Sequence, residues 1–212
     1  MSDTAPLLVT RQGAVATLRF NRPAAMNALD LPTALALRDA VQAISQDPEV
    51  RAVLLQGSGR AFVAGGDLAA LRADPVQGAQ DLLGPLNETL LLLQGLNAPV
   101  IAQVHGAAAG AGLSLMLMCD FVLAAEGTKF NLAYINLGTS CDVGASWALP
   151  RLVGLRHALE IALLARPSAP TMPCAWAWST ACCPPPSWTP PPTPWPRAWP
   201  TALPWPMATC AG

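Results

Sequence analysis

Up to about residue 165 the chain distributes its apolar residues with two recognisable periods, and after that point with neither. "LLVTRQGAVATLRF" (7–20) reads as two short strands about a Gln12-Gly13 turn. Asp30 then precedes a helical stripe from Leu31 to about Gln46; an aspartate there accepts from the unpaired amides of the first turn, where Pro32 costs no intrahelical bond. "VRAVLLQG" (50–57) is a buried strand, and Val76 to Asn97 is a helix with leucines 82, 83, 86, 90 and 93 along one face. After Pro99 come the strand "VIAQV" (100–104), the glycine-rich "HGAAAGAG" (105–112), a helix through Met118, the strand "FVLAA" (121–125) and a helix from Leu155 to Leu164. Strands alternating with helices place the chain in the α/β class.

Beyond Ala165 the pattern stops. Residues 166–212 hold most of the prolines, six of the seven tryptophans, and no acidic residue or lysine. Proline at such density excludes a helix or a paired strand interior, so this tail is expected to be a low-complexity, disordered segment separate from a folded unit of residues 1–165. It also lacks the charge of ordinary disordered linkers, and six tryptophans are an unusual load to leave in water. We read it as a GC-rich gene translated in the wrong frame, which resequencing tests.

Composition narrows the function classes. An apolar fraction of 52% with a formal net charge of −1 fits a soluble globular protein. Lysine occurs once, at Lys129, and the arginines are scattered, which leaves no basic patch for nucleic acid. The N-terminus lacks the basic start and apolar run of a signal peptide, and no stretch reaches ~18 uninterrupted apolar residues, so no membrane association is expected and the cytoplasm is the default location. Six cysteines with no CxxC pair and no histidine at ligand spacing read as free thiols, with no metal implied.

Two glycine-rich turns follow strands: "AFVAGGDL" (61–68) and "HGAAAGAGLSL" (105–115). Small residues let a ligand approach the main chain, and amides at the following helix start are unpaired, so a pair of them can hold an oxyanion. The order Gly-x-x-x-Gly-x-Gly in the second turn also suits a dinucleotide, but short-chain dehydrogenases require a lysine four residues after a tyrosine. The only tyrosine is Tyr134, and position 138 is glycine. A phosphate loop ending in Gly-Lys-Ser/Thr is absent.

"NRPAAMNALD", "AFVAGGDLAAL", "VHGAAAGAGLSLMLMCD", "KFNLAYINLGTSCDVGASWALPRLVG" and "ALEIALL" occur in the order and spacing of the crotonase superfamily, the enoyl-CoA hydratases and isomerases, which the chain resembles from about Leu7 to Ala165. The resemblance implies a crotonase-like spiral of ββα units with the C-terminal helical part missing or replaced, assembly as homotrimers or hexamers, and acyl-CoA thioesters as substrates. It implies no cofactor beyond the coenzyme A of the substrate. By position, the oxyanion amides are those of Ala64 and Ala111, and Val63, Gly65, Gly66, Asp67, Leu68 and Gly110 line the CoA path. Two donors aimed at an enolate oxygen remove several kcal/mol from the barrier, about 3 per donor in acyl-transfer enzymes.

In the hydratases of this superfamily two glutamates hold and activate a water. Ser114 and Tyr134 occupy those positions here, so the resemblance points away from hydration. Asp142 falls where isomerases carry a single catalytic aspartate, and one carboxylate suffices to take a proton from one carbon and return it to another. Burial against acyl surface raises its pKa toward a useful value. On loop statistics alone Asp142 is an Asx turn or cap before Gly144. The implied reaction is the 3,4- to 2,3-enoyl-CoA shift or a related rearrangement of fatty acid metabolism. Two alternatives are a non-catalytic, truncated acyl-CoA-binding remnant and a hydrolase like the 4-chlorobenzoyl-CoA dehalogenases, whose aspartate nucleophile needs a nearby histidine. His105 and His157 stand at no matching place. Asp67 is expected to cap the helix after its turn, Asp120 to tie the helix end to the next strand, Cys141 to line the pocket, Glu88 to face solvent, and Trp147 to pack under the acyl group.

Overall fold

A computed structural model describes residues 4–69, 74–164 and 181–183. The described residues form four successive turns of strand and helix, the second with one strand and isolated bridges in place of another. β1 (Leu7–Gln12) and β2 (Val15–Phe20) pair as an antiparallel hairpin, and α1 (Leu31–Ser45) starts at Asp30, whose carboxylate accepts from the Thr33 amide at 2.9 Å. The second turn holds β3 (Ala52–Gly57) and α2 (Pro75–Gln94), capped by Asp74 through the Gln77 amide at 3.0 Å. The third holds β4 (Val100–Val104), β5 (Ala107–Ala109) and α3 (Ala111–Leu117). In the fourth, β6 (Phe121–Ala125) and β7 (Lys129–Asn131) lead through a 3-10 turn at Tyr134–Leu137 into α4 (Ala145–Val153), followed by α5 (Leu155–Leu164).

Each turn contributes to two sheets. The larger has the order β1-β2-β3-β4-β6-β8, with β8 at Ala181–Cys183, and every pair after the hairpin is parallel. The smaller is the parallel pair β5-β7, widened by single bridges between Val63 and Ala108 and between Leu29 and Gly66. The two glycine turns of the sequence therefore sit in the small sheet, side by side. One core fills the space between sheets and helices, holding Leu18, Phe20, Leu55 and Ala102 with Leu37 and Val41 of α1 and Leu86 and Leu90 of α2. Phe20 meets Phe62 edge to face at 6.0 Å, which anchors the first glycine turn to this core.

The differences from the sequence reading have local causes. α2 ends at Gln94 rather than Asn97, because the Gly95 amide already turns back to the carbonyls of Leu91, Leu92 and Leu93. β5 and β7, three residues each, are too short to leave a period and exist through their mutual pairing. α4 contains Pro150, which argues against a helix but in one of nine residues costs a single internal bond. The expectation that the tail holds no paired strand is corrected at β8, which adds to the β6 edge within the proline-free stretch 174–183. The remainder of 165–212, with its proposed reading frame, lies outside the described residues. Among the described residues no helix is long and apolar enough to cross a membrane.

Candidate active site

The two glycine turns lie backbone to backbone. The Ala109 amide donates to the Val63 carbonyl at 3.1 Å, and a Cβ on Gly112 would stand 2.1 Å from that same carbonyl oxygen. Gly65, at φ +114°, faces Ala109 and Gly110 with no room for a side chain nearer than 3.2 Å. This packing brings position 64 beside position 111. Ala111 is buried at the first position of α3, where no intrahelical acceptor exists, and its amide has no hydrogen-bond partner among the described residues.

Ala64 departs from expectation. Its amide donates to the Met26 carbonyl at 3.1 Å, so of the two anticipated donors only that of Ala111 stands unengaged. The acceptor comes from a strap, residues 22–30, that runs along the first glycine turn. Leu29 donates to Gly65 O and accepts from the Asp67 amide, both at 2.8 Å. Asn27, 1% exposed and left-handed at φ 58°, gives its Nδ2 to the carbonyls of Ser58, Ala61 and Phe62.

Asp67 is tied to this strap and is not the cap of α2, which corrects its expected role; its carboxylate also accepts from the Ala69 amide at 3.1 Å. The Arg22 guanidinium reaches Asp67 at 2.9 Å and Asp30 at 3.1 Å, and donates to the Ala28 carbonyl as well. The next helix is capped by Asp74 instead. Val63 is fully buried with its carbonyl engaged, and the Gly110 amide donates to Asn131 O at 2.9 Å. Gly66 is bridged to Leu29, and Leu68 is exposed at the end of the turn. Arg22→Gln should lower stability by about 2 kcal/mol, since it removes a charged donor from carboxylates only 17–19% exposed, and a melting curve should show a drop of about 4–8 °C.

Asp142 is half-buried in the loop between the 3-10 turn and α4. Tyr134 donates its hydroxyl to Asp142 Oδ1, and Ser114 Oγ lies 2.9 Å from Tyr134 Oη and 3.2 Å from Gly110 O. Two hydrogen bonds therefore connect the carboxylate to Ser114, whose Oγ also stands 3.2 Å from the carbonyl of the peptide unit that carries the Ala111 amide. Loss of hydration raises the Asp142 pKa above the ordinary carboxylate range; the Tyr134 hydroxyl and a backbone bond oppose that rise, and no second acid contributes. Tyr134 is itself raised by burial and then by the carboxylate, and stays a neutral donor. The loop is strained: Val143, β-branched, takes φ 47°, and Gly144 follows at φ 78° against Met118 of α3. Sequence reading marked positions 114 and 134 as lost glutamates and missed that their hydroxyls reach Asp142; a buried serine and tyrosine amid leucines was the available signal.

Other candidates stand elsewhere. Asp120 accepts from the Val100 amide at 2.8 Å and so ties the α3–β6 junction back to β4, where a tie to the following strand is expected. Cys141 is partly buried next to Asp142, and burial with that neighbour raises its thiol, which suits a pocket wall better than a nucleophile. His105 contacts the Gly59 carbonyl at 2.8 Å and His157 the Val153 carbonyl at 3.2 Å. Glu88 faces solvent as expected. Trp147 does not pack under the site: it is 50% exposed with the Arg151 guanidinium 4.2 Å over its ring, because α4 turns Ala145, Ala148 and Leu149 inward. No group of three or more metal-ligating side chains converges among the described residues. Two open clefts, of about 580 and 510 Å³, are lined by other residues, Arg19, Gln56 and Gln103 in one and Asn97 and Asp120 in the other.

Comparison with known proteins gives this arrangement a context. A family model described as enoyl-CoA hydratase/isomerase matches residues 10–171. The chain is 38% identical over 149 residues to a crotonyl-CoA hydratase of Syntrophomonas wolfei, covering 70% of this chain and 57% of that protein. It is 39% identical over 154 residues to a 1,2-epoxyphenylacetyl-CoA isomerase of Escherichia coli, covering 71% of this chain and 59% of that one. Among solved structures, an enoyl-CoA hydratase from Mycobacterium avium subsp. paratuberculosis superposes with a TM-score of 0.79 at 34% identity, over 87% of this chain and 73% of that one. The chain thus spans about three-fifths of the length of these curated relatives. With adjoining glycine turns on a spiral of ββα units and a match over most of its length, the chain belongs to the enoyl-CoA hydratase/isomerase family and has the crotonase fold.

Proposed function

We propose that the chain is an acyl-CoA isomerase that moves a proton along a thioester through an enolate. The observation that carries this reading is a single carboxylate: Asp142 is half-buried and held by a neutral hydroxyl, with no second acid contributing to its titration. Water addition by paired carboxylates has no pair to use, since Ser114 and Tyr134 fill the other two positions. In the proposed cycle Asp142 takes a proton from C2 of a 3-enoyl thioester, the charge moves to the thioester oxygen, and the proton returns at C4 to leave the 2,3-double bond. The Ala111 amide receives that oxygen. The Ala64 amide joins it by leaving the Met26 carbonyl, an exchange favoured as charge develops because a hydrogen bond to an anion is roughly twice as strong as one to a neutral carbonyl. Two relatives carry the name isomerase, the Escherichia coli protein and a trans-2-decenoyl-[acyl-carrier-protein] isomerase of Streptococcus mutans at 31% identity.

Incubation of the chain with 3-enoyl-CoA esters in D2O tests the reading. The conjugated ester should appear, with deuterium entering at C2 or C4 to the extent that Asp142 exchanges its proton; a 3-hydroxyacyl product formed as fast would overturn it. A second reading, a non-catalytic remnant, is favoured by the exposed leucines of α5, at positions 155, 159, 163 and 164. The same leucines offer an apolar face to a second copy in a trimer or hexamer. Gel filtration separates the two: a discrete oligomer supports the enzyme, aggregation the remnant.

A further inference from the structure

The isomerase reading gives Asp142 a task and leaves two buried hydroxyl groups without one. Ser114 is 0% and Tyr134 7% exposed, among Leu113, Leu115 and Leu132. Alanine and phenylalanine would pack the same positions without burying polar atoms, so the hydroxyls call for a reason beyond packing.

Their proton directions follow from counting donors. An ionised carboxylate only accepts, so the one Tyr134 hydroxyl proton points at Asp142 Oδ1. Tyr134 Oη must then accept, and the donor 2.9 Å away is Ser114, whose proton is drawn from the longer 3.2 Å contact with Gly110 O. The chain Ser114 to Tyr134 to Asp142 is thereby polarised in one direction and ends on one carboxylate oxygen. α3 supplies the serine, the 3-10 turn the tyrosine, and the strained Val143 loop the acid, so three elements meet at a single atom.

Resting on the isomerase reading, we infer that Tyr134, oriented by Ser114, is a positioning residue that pins Asp142 Oδ1 and leaves Oδ2 as the oxygen that carries the proton. A carboxylate free to rotate presents either oxygen at variable angle; one pinned at Oδ1 presents Oδ2 in one place, which proton return to a second carbon requires. The other titratable group beside the acid is Cys141, which burial keeps neutral.

Tyr134→Phe and Ser114→Ala test this, with Asp142→Asn measured alongside. Tyr134→Phe should lower kcat by about 10- to 100-fold with KM nearly unchanged, because binding rests on the glycine turns and alignment on the hydroxyl. It should also move the acid limb of the pH profile to higher pH, since the lost hydrogen bond favours the ionised acid. Ser114→Ala should do the same more weakly, and serves if the phenylalanine variant fails to fold. An unchanged kcat and acid limb in the variant that folds overturns the inference while an inactive Asp142→Asn keeps the isomerase reading. An active Asp142→Asn overturns that reading and the inference with it.

Discussion

Asp142→Asn is expected to lower kcat for the double-bond shift by about 10³-fold while leaving acyl-CoA binding within a few-fold of the parent chain. Asparagine keeps the shape and an oxygen that accepts from Tyr134, so the loop should hold its conformation and only the proton carrier is lost. Calorimetric titration with a non-reactive acyl-CoA measures binding and a conjugation assay measures turnover; full turnover in the variant would dismiss Asp142 as the base. The parent's pH profile supplies a matching expectation. The base must be ionised, so kcat/KM falls as pH drops through its pKa, and burial places that fall above the range of an exposed aspartate.

Gly112→Ala should be among the most damaging single methyls in the glycine turns. The added Cβ would stand 2.1 Å from the Val63 carbonyl oxygen and 2.7 Å from its carbon, both backbone, so relief requires the two glycine turns to separate. A cost of about 3 kcal/mol follows, with a drop of about 6–12 °C in melting temperature, and the separation would also displace the Ala111 amide from its place beside Ala64. Gly84→Ala is the contrasting control. It lies in α2 with nothing within 4 Å of its new Cβ, so removal of a helical glycine should raise stability by about 0.5–1 kcal/mol. Equal melting curves for the two variants would show that the glycine turns tolerate separation.

How far the sequence was legible depends on the range of the interaction. Asp30 capping α1, the leucine stripe of α2 and the strand before each glycine turn are set by residues a few positions apart or by an unbroken apolar run, and all appear where local pattern places them. Motif order likewise singled out Ala111, which opens α3, and Asp142, which lies in the loop before α4. Short elements were not legible. β5, β7 and α4 owe their existence to partners far along the chain, and too few residues in each express a period.

At the site, the sequence by itself determined which chemistry is available: two turns small enough for main-chain contact, one acid in a loop, and no glutamate pair. Tertiary structure decided how those groups are engaged. The Ala64 amide is given to Met26, Asp67 to Arg22, Asp142 to Tyr134, and Trp147 to the outside of α4. Each of these rests on a hydrogen bond or a facing direction between segments that no local period relates. A backbone carbonyl is the same in every residue, so which one meets a given amide is written only in three dimensions.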